Sequence, residues 1–211
     1  RGMTGMVFIV ILFVAGILVT TLGIIKRERR IALSTGLLSF DLVLMMFAEN
    51  ELSQVILNEP LIWRYLAAFS YFLVPFFLGL VVREWFSGIV RRIALLVCIV
   101  TCTFVAGVIF ASVSLDVSFI HAYGIFDGLF ILLVLALLIG CFLRREPLSF
   151  QDGLVIFGIL ALFLSLLMDM FSAYNFLFWI AHAGQWGLVF FTLAMLTVYL
   201  AKDRDQQVSL N

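Results

Sequence analysis

Three carboxylates set inside apolar runs, Asp41, Asp127 and Asp169, are the side chains whose placement invites chemistry. An ionised carboxylate near the centre of a bilayer costs about 2.5–3.5 kcal/mol on insertion scales, so such a group turns toward a bundle interior or a wet cavity. There it can bind a cation, carry a proton or tie two helices together. Helical spacing gathers further polar groups around these acids. His182, Gln185, Val189, Thr192, Leu196 and Tyr199 recur at the three- and four-residue intervals of one helical face. Arg64, Ala68, Tyr71, Pro75 and Gly79 make a second such stripe, and Gly158, Leu162, Ser165, Asp169 and Ser172 a third.

With these stripes turned inward, Arg64, Tyr71, Asp127, Asp169, His182 and Gln185 become candidates for a ligand site or a charge-coupled switch around one vestibule. Asp41, Thr192 and Tyr199 are read as interior polar groups. A second reading stays open, in which the same groups are interhelical hydrogen bonds and ion pairs that fix packing, each worth about 0.6–2 kcal/mol. Asp127 has a third reading, as a near-interface residue reaching water. Pro75 removes a backbone hydrogen bond within its helix and is a hinge candidate, although neighbouring helices commonly accommodate such prolines. Gly124-x-x-x-Gly128 and Gly107-x-x-x-Ala111 have the spacing of close helix contacts, a weak signal because it recurs by chance.

Catalytic constellations are missing. The two histidines, His121 and His182, lie in no metal-binding pattern, and a catalytic zinc needs about three clustered ligands. No metal site and no cofactor are expected. Cys98, Cys102 and Cys141 are odd in number, lack Cys-x-x-Cys spacing and read as small buried hydrophobes. Neither a Gly-x-Ser-x-Gly elbow nor a phosphate-cradling glycine loop occurs. The only lysines, Lys26 and Lys202, fall at the edges of apolar runs, which excludes a retinal Schiff base in the last helix. The Asp-Arg-Tyr and Asn-Pro-x-x-Tyr motifs of eukaryotic G-protein-coupled receptors are absent. This module is not read as an enzyme.

The elements that position these groups follow from composition. Of 211 residues, 64% are hydrophobic and 12% charged, where a soluble domain carries about a quarter charged. So much apolar surface needs lipid as its partner. The zero formal net charge gives no argument for nucleic acid. A hydrocarbon core about 30 Å thick takes about 20 apolar helical residues. Apolar runs of that size, each bounded by charge, predict seven spans at about 5–25, 31–48, 63–82, 93–111, 122–143, 153–171 and 178–201, an all-α polytopic bundle. The final stretch Gly153–Ala201 is split at Ser172–Asn175, flanked by Tyr174 and Trp179. Residues 202–211 read as a hydrophilic linker. The chain opens on Arg1 without a signal-peptide cleavage site, so the reading is of a module continued upstream.

Basic residues orient the spans. Lys26, Arg27, Arg29, Arg30, Arg83, Arg91, Arg92, Arg144, Arg145, Lys202 and Arg204 fall in one set of connections, and only Arg1 and Arg64 in the other. The positive-inside rule then puts the N-terminus outside and the C-terminus in the cytoplasm.

Four segments carry a likeness to a known family. They are the basic hairpin Ile25-Lys26-Arg27-Glu28-Arg29-Arg30 and the start of span three, Trp63-Arg64-Tyr65-Leu66, with Phe72-Leu73-Val74-Pro75-Phe76-Phe77 following. The others are Leu167-Met168-Asp169-Met170-Phe171 near the end of span six and the exit from the last helix, Leu200-Ala201-Lys202-Asp203-Arg204-Asp205-Gln206-Gln207. The pattern resembles the seven-helix membrane domain of bacterial receptors with diverse intracellular signalling modules. Such a resemblance implies a transmembrane sensor in the bacterial inner membrane, with a periplasmic sensor domain before it and a histidine kinase or a diguanylate or nucleotide cyclase after it. It also implies an unknown small-molecule ligand and a homodimer. Leu196, Leu200 and Val208 could begin a dimeric coiled coil, though the heptad run is short. The rival expectation is a small ion-coupled transporter using Asp41, Asp127 and Asp169, although no internal repeat of the transporter kind is found.

Overall fold

The computed structural model describes residues 2–25, 29–50, 53–114, 121–144, 147–173 and 183–210, and every element among them is helical. The order is α1 (Gly2–Ile25), α2 (Arg29–Glu49), α3 (Ser53–Ile56), α4 (Pro60–Trp85), α5 (Gly88–Ser114), α6 (Ala122–Phe142), α7 (Phe150–Ala173) and α8 (Ala183–Leu210). Five of them, α2 and α4–α7, are long and apolar enough to cross a membrane. The terminal helices α1 and α8 hold shorter apolar stretches, Ile9–Thr21 and Trp186–Val198. A helix satisfies its own backbone N–H and C=O groups, which is why apolar runs this long fold as helices where water is excluded. The outer faces are studded with exposed apolar side chains such as Phe40, Leu96, Ile99, Leu132 and Phe157. Contiguous apolar surface of that extent suits lipid rather than water.

Local chemistry sets the ends. Pro60 opens α4, where its missing N–H costs nothing. Ser149 and Asp152 open α7 with a reciprocal cap: the Ser149 N–H donates to Asp152 Oδ2 and the Asp152 N–H to Ser149 Oγ, both at 3.1 Å. Between α2 and α4 the short α3 is held by Ser53, whose Oγ donates to the Asn50 carbonyl at 2.7 Å. Trp63 spans the same connection; its indole N–H donates to the Leu57 carbonyl at 2.8 Å, and its ring meets Phe47 edge-on at 5.5 Å.

Successive long helices run antiparallel. Gly16 meets Ser39 while Gly36 meets Thr20, and Gly158 meets Ala194 while Gly184 meets Asp169. The longest seams join α7 to α8, α2 to α4, α1 to α2 and α4 to α5, and α1 touches α8 to close the ring. Several seams are tight because a glycine removes the side chain that would separate two backbones. A Cβ on Gly158 would lie 3.1 Å from that of Ala194, and one on Gly187 would collide with Ser165. By contrast α6 stands off its neighbours on a layer of rings. Phe126 packs on Phe72 at 4.7 Å and Phe104 at 5.3 Å, and Phe130 on Phe163 at 6.2 Å.

Several expectations need correction. On α8 Gly187, Leu188, Phe191, Ala194, Met195 and Val198 are buried; of the expected stripe Thr192 is buried and Val189 and Leu196 are half-buried, while His182 and the side chains of Gln185 and Tyr199 lie outside the described residues. Gly107 and Gly128 have open space where a Cβ would stand, so their spacings mark no close contact. Cys98 and Cys141 are buried, but Cys102 is exposed on the flank of α5. Of the expected turn at Ser172–Asn175, Ser172 and Ala173 are still helical, since α7 continues to Ala173; Tyr174, Asn175 and Trp179 lie outside the described residues. So do Arg1, Lys26–Glu28 and Arg145. Arg30, Arg83, Arg91, Arg92 and Arg144 collect at one end of the bundle, where α2 and α5 begin and α4 and α6 finish, while Arg64 sits at the other.

Candidate functional site

At the Arg64 end, α2, α4, α6 and α7 part around a cleft of about 340 Å³. Met45 and Glu49 come from α2, Tyr71 from α4, Tyr123 and Asp127 from α6, and Leu166, Asp169, Met170 and Ser172 from α7. The elements dictate this convergence: α4, α5, α6 and α7 run in alternating directions, which brings the end of α2, the early turns of α4 and α6 and the end of α7 to one level. The opening exists because α6 is spaced from α7 by large rings and not drawn in by a small-residue seam.

Two of the cleft's carboxylates are engaged across helices. The Tyr71 hydroxyl donates to Asp127 Oδ1 at 2.8 Å, tying α4 to α6. Tyr71 also stacks on Tyr123, with centroids 5.9 Å apart and planes 17° from parallel, and meets Phe126 edge-on at 5.0 Å. Asp169 does something different. Its Oδ1 accepts the Ala183 N–H and its Oδ2 the Gly184 N–H, each at 2.7 Å, so one carboxylate caps the first turn of the next helix. The first N–H groups of a helix have no partner within it and carry its positive dipole end, so an anion is favoured there. Gly184 permits the approach; a Cβ at that position would stand 2.6 Å from Asp169 Oδ2.

Of the sequence candidates, Tyr71, Asp127 and Asp169 line this one cleft. Arg64 is exposed and does not line it. His182 and the side chains of Gln185 and Tyr199 lie outside what is described. Thr192 is buried, and its hydroxyl donates to the Leu188 carbonyl of its own helix at 2.8 Å, a local bond and not a cross-helix one. Pro75 is buried within a continuous α4. Asp41 is 5% exposed between α2 and α4, with Ser70 of α4 facing it. Its Oδ2 has no hydrogen-bond partner among the described residues, nor do the nearby hydroxyls of Thr35 and Ser39. No group of three metal-ligating side chains occurs among the described residues.

Sequence reasoning missed Glu49, Tyr123 and Asp152. Glu49, just past the second apolar run, closes α2 beside the cleft. Tyr123 reads as one more aromatic near an interface. Asp152 had a signal, the Ser149-x-x-Asp152 capping pattern. It anchors the opposite end of the bundle, where Arg144 Nη1 lies 3.0 Å from Asp152 Oδ2 and the Trp85 indole N–H donates to Oδ1 at 2.9 Å. Arg144 also donates to the Pro147 carbonyl at 3.3 Å and lies over the Phe86 ring at 5.5 Å. Comparison of the chain with protein-family models, with curated proteins and with solved structures finds no match.

Proposed function

We propose that the chain is a seven-span receptor module of the bacterial inner membrane that relays an extracytoplasmic signal to a cytoplasmic output domain. The observation that carries this reading is the Asp169 clasp. One carboxylate lines the cleft and holds the first turn of α8, and α8 continues as helix to Leu210, beyond its apolar stretch. A ligand that prefers one geometry of the cleft biases the position of α8, and that differential affinity is the energetic requirement for a relay. The gathering of described arginines at one end supports placing that end, and the exit of α8, in the cytoplasm. On this reading α1 and α8 are spans as well, which makes the number of crossings odd. A periplasmic domain before the chain, a kinase or cyclase after it and a homodimeric assembly complete the proposal, by resemblance to the bacterial receptor family.

Two measurements test it. Single cysteines placed at the two chain ends and labelled in intact cells are expected to report opposite sides; a common side overturns the topology. Asp169→Asn in the protein as the cell makes it is expected to change the basal output of the attached signalling domain. A second reading, an ion-coupled carrier, is favoured by the buried Asp41 with its unpartnered Oδ2. Loss of solute uptake in Asp41→Asn, with signalling intact in Asp169→Asn, would select the carrier.

A further inference from the structure

At the arginine-rich end a second and larger cleft, about 750 Å³, opens between the α4–α5 turn, the end of α6 and the start of α7. Its charged lining is Arg30, Arg83, Arg91 and Arg144 against Glu84 and Asp152. Arg144 and Asp152 neutralise each other at 3.0 Å, and Arg83 faces Glu84 at a loose 3.7 Å. Arg30 and Arg91 have no acidic partner among the described residues, and the buried Nε of Arg83 has no hydrogen-bond acceptor there. The first turn of α5, Gly88 to Val90, also lines the cleft and brings free backbone N–H groups. Gly88 turns the chain into α5 with φ +64°, a conformation that suits glycine.

The arrangement offers guanidinium forks and a helix N-terminus to an anion, the donor set that matches phosphate oxygens. Its surroundings are apolar: Ile89, Phe142 and Leu143 are more than half exposed beside it. A free anion has no use for such a rim, whereas an amphiphile does. We propose that this cleft binds the phosphate headgroup of an anionic phospholipid, its acyl chains lying along the exposed flanks of α5 and α6. Basic recesses at the ends of membrane helices attract anionic lipid in this way. The inference rests on the membrane reading of the bundle but not on its being a receptor.

The test uses Trp85, which lines the cleft. Replacing Trp63, Trp179 and Trp186 by Phe leaves it as the only indole. In phosphatidylcholine nanodiscs carrying a minor fraction of phosphatidylglycerol brominated on its acyl chains, Trp85 fluorescence should be quenched more than by the same fraction of brominated phosphatidylcholine. Arg83→Gln with Arg91→Gln should weaken the apparent affinity roughly tenfold or more, at unchanged helicity. Arg83→Lys with Arg91→Lys keeps the charge but loses the bidentate forks, and should weaken the preference for phosphatidylglycerol less than the glutamine pair does. Equal quenching by the two lipids, or a preference undiminished in the glutamine pair, overturns the proposal. So does a Trp85 response to inorganic phosphate in detergent without selective quenching by phosphatidylglycerol, which would identify a free-anion site. Failure of the receptor reading in signalling assays would leave these outcomes untouched.

Discussion

Both ends of α7 are fastened by an aspartate, and the two fastenings differ in kind. Asp152 is held by side chains from two other helices, the Trp85 indole of α4 and the guanidinium of Arg144 at the end of α6, as well as by the cap of its own helix. Asp169 is bonded to backbone N–H groups of α8 and faces a cleft. A charge matched by an opposite charge and several donors is a structural tie. A carboxylate on a helix end beside open volume is a tie that a ligand can compete for. Both carboxylates line clefts, so what separates them is the kind of donor that holds each one, charged and side-chain at Asp152, backbone at Asp169.

That contrast can be broken most decisively at Asp152. Both partners of its ion pair are mostly buried, with side chains 13% and 15% exposed, so Asp152→Ala strands a charge. Loss of such a partner costs about 1–3 kcal/mol, and a clear fall in unfolding midpoint in detergent is expected. A change under about 1 kcal/mol would remove the distinction between the ends. Next comes Asp169→Asn, which keeps one acceptor and loses the charge on the α8 dipole. Cap and dipole losses are each about 1 kcal/mol, so stability should fall modestly while hydrogen exchange at Ala183 and Gly184 quickens. Unchanged protection there would mean that α8 is not held by this carboxylate. The smallest effect is expected from Tyr71→Phe, which removes one interhelical hydrogen bond worth about 0.6 kcal/mol and leaves the ring stacking in place. Thermal unfolding resolves it only as a small shift, and a loss above about 2 kcal/mol would make the Tyr71–Asp127 pair a tie like Asp152.

What was legible in the sequence follows the range of the interactions involved. The all-helical class showed in apolar runs stopped by charges, because each helix meets its backbone needs within its own run. Tyr71, Asp127 and Asp169 were marked by polarity within such runs, since burying polarity demands a partner. The full width of the buried face of α8 was less legible: spacing picks out Thr192, but Leu188, Phe191 and Met195 are buried beside it because of how they fill space against other helices. Glycine spacing misled for the same reason. Gly107-x-x-x-Ala111 and the seam glycines Gly158 and Gly187 differ only in what stands opposite them, which one chain read in order cannot say. Asp152 was legible and overlooked, its capping pattern plain three residues after Ser149.

The spacing of α6 from α7 has a mechanical consequence. These two helices are pinned by Arg144 and Asp152 at one end, kept apart by rings such as Phe130 and Phe163, and separated by the cleft at the other. The α7–α8 seam is tight at Gly158 and Gly187, where a Cβ would crowd the facing helix. At 1.5 Å per residue the arm from pivot to cleft is roughly 25 Å long. On the receptor reading proposed above, a pinch at the cleft would swing α7 and α8 about the Arg144–Asp152 end and displace the tip of α8.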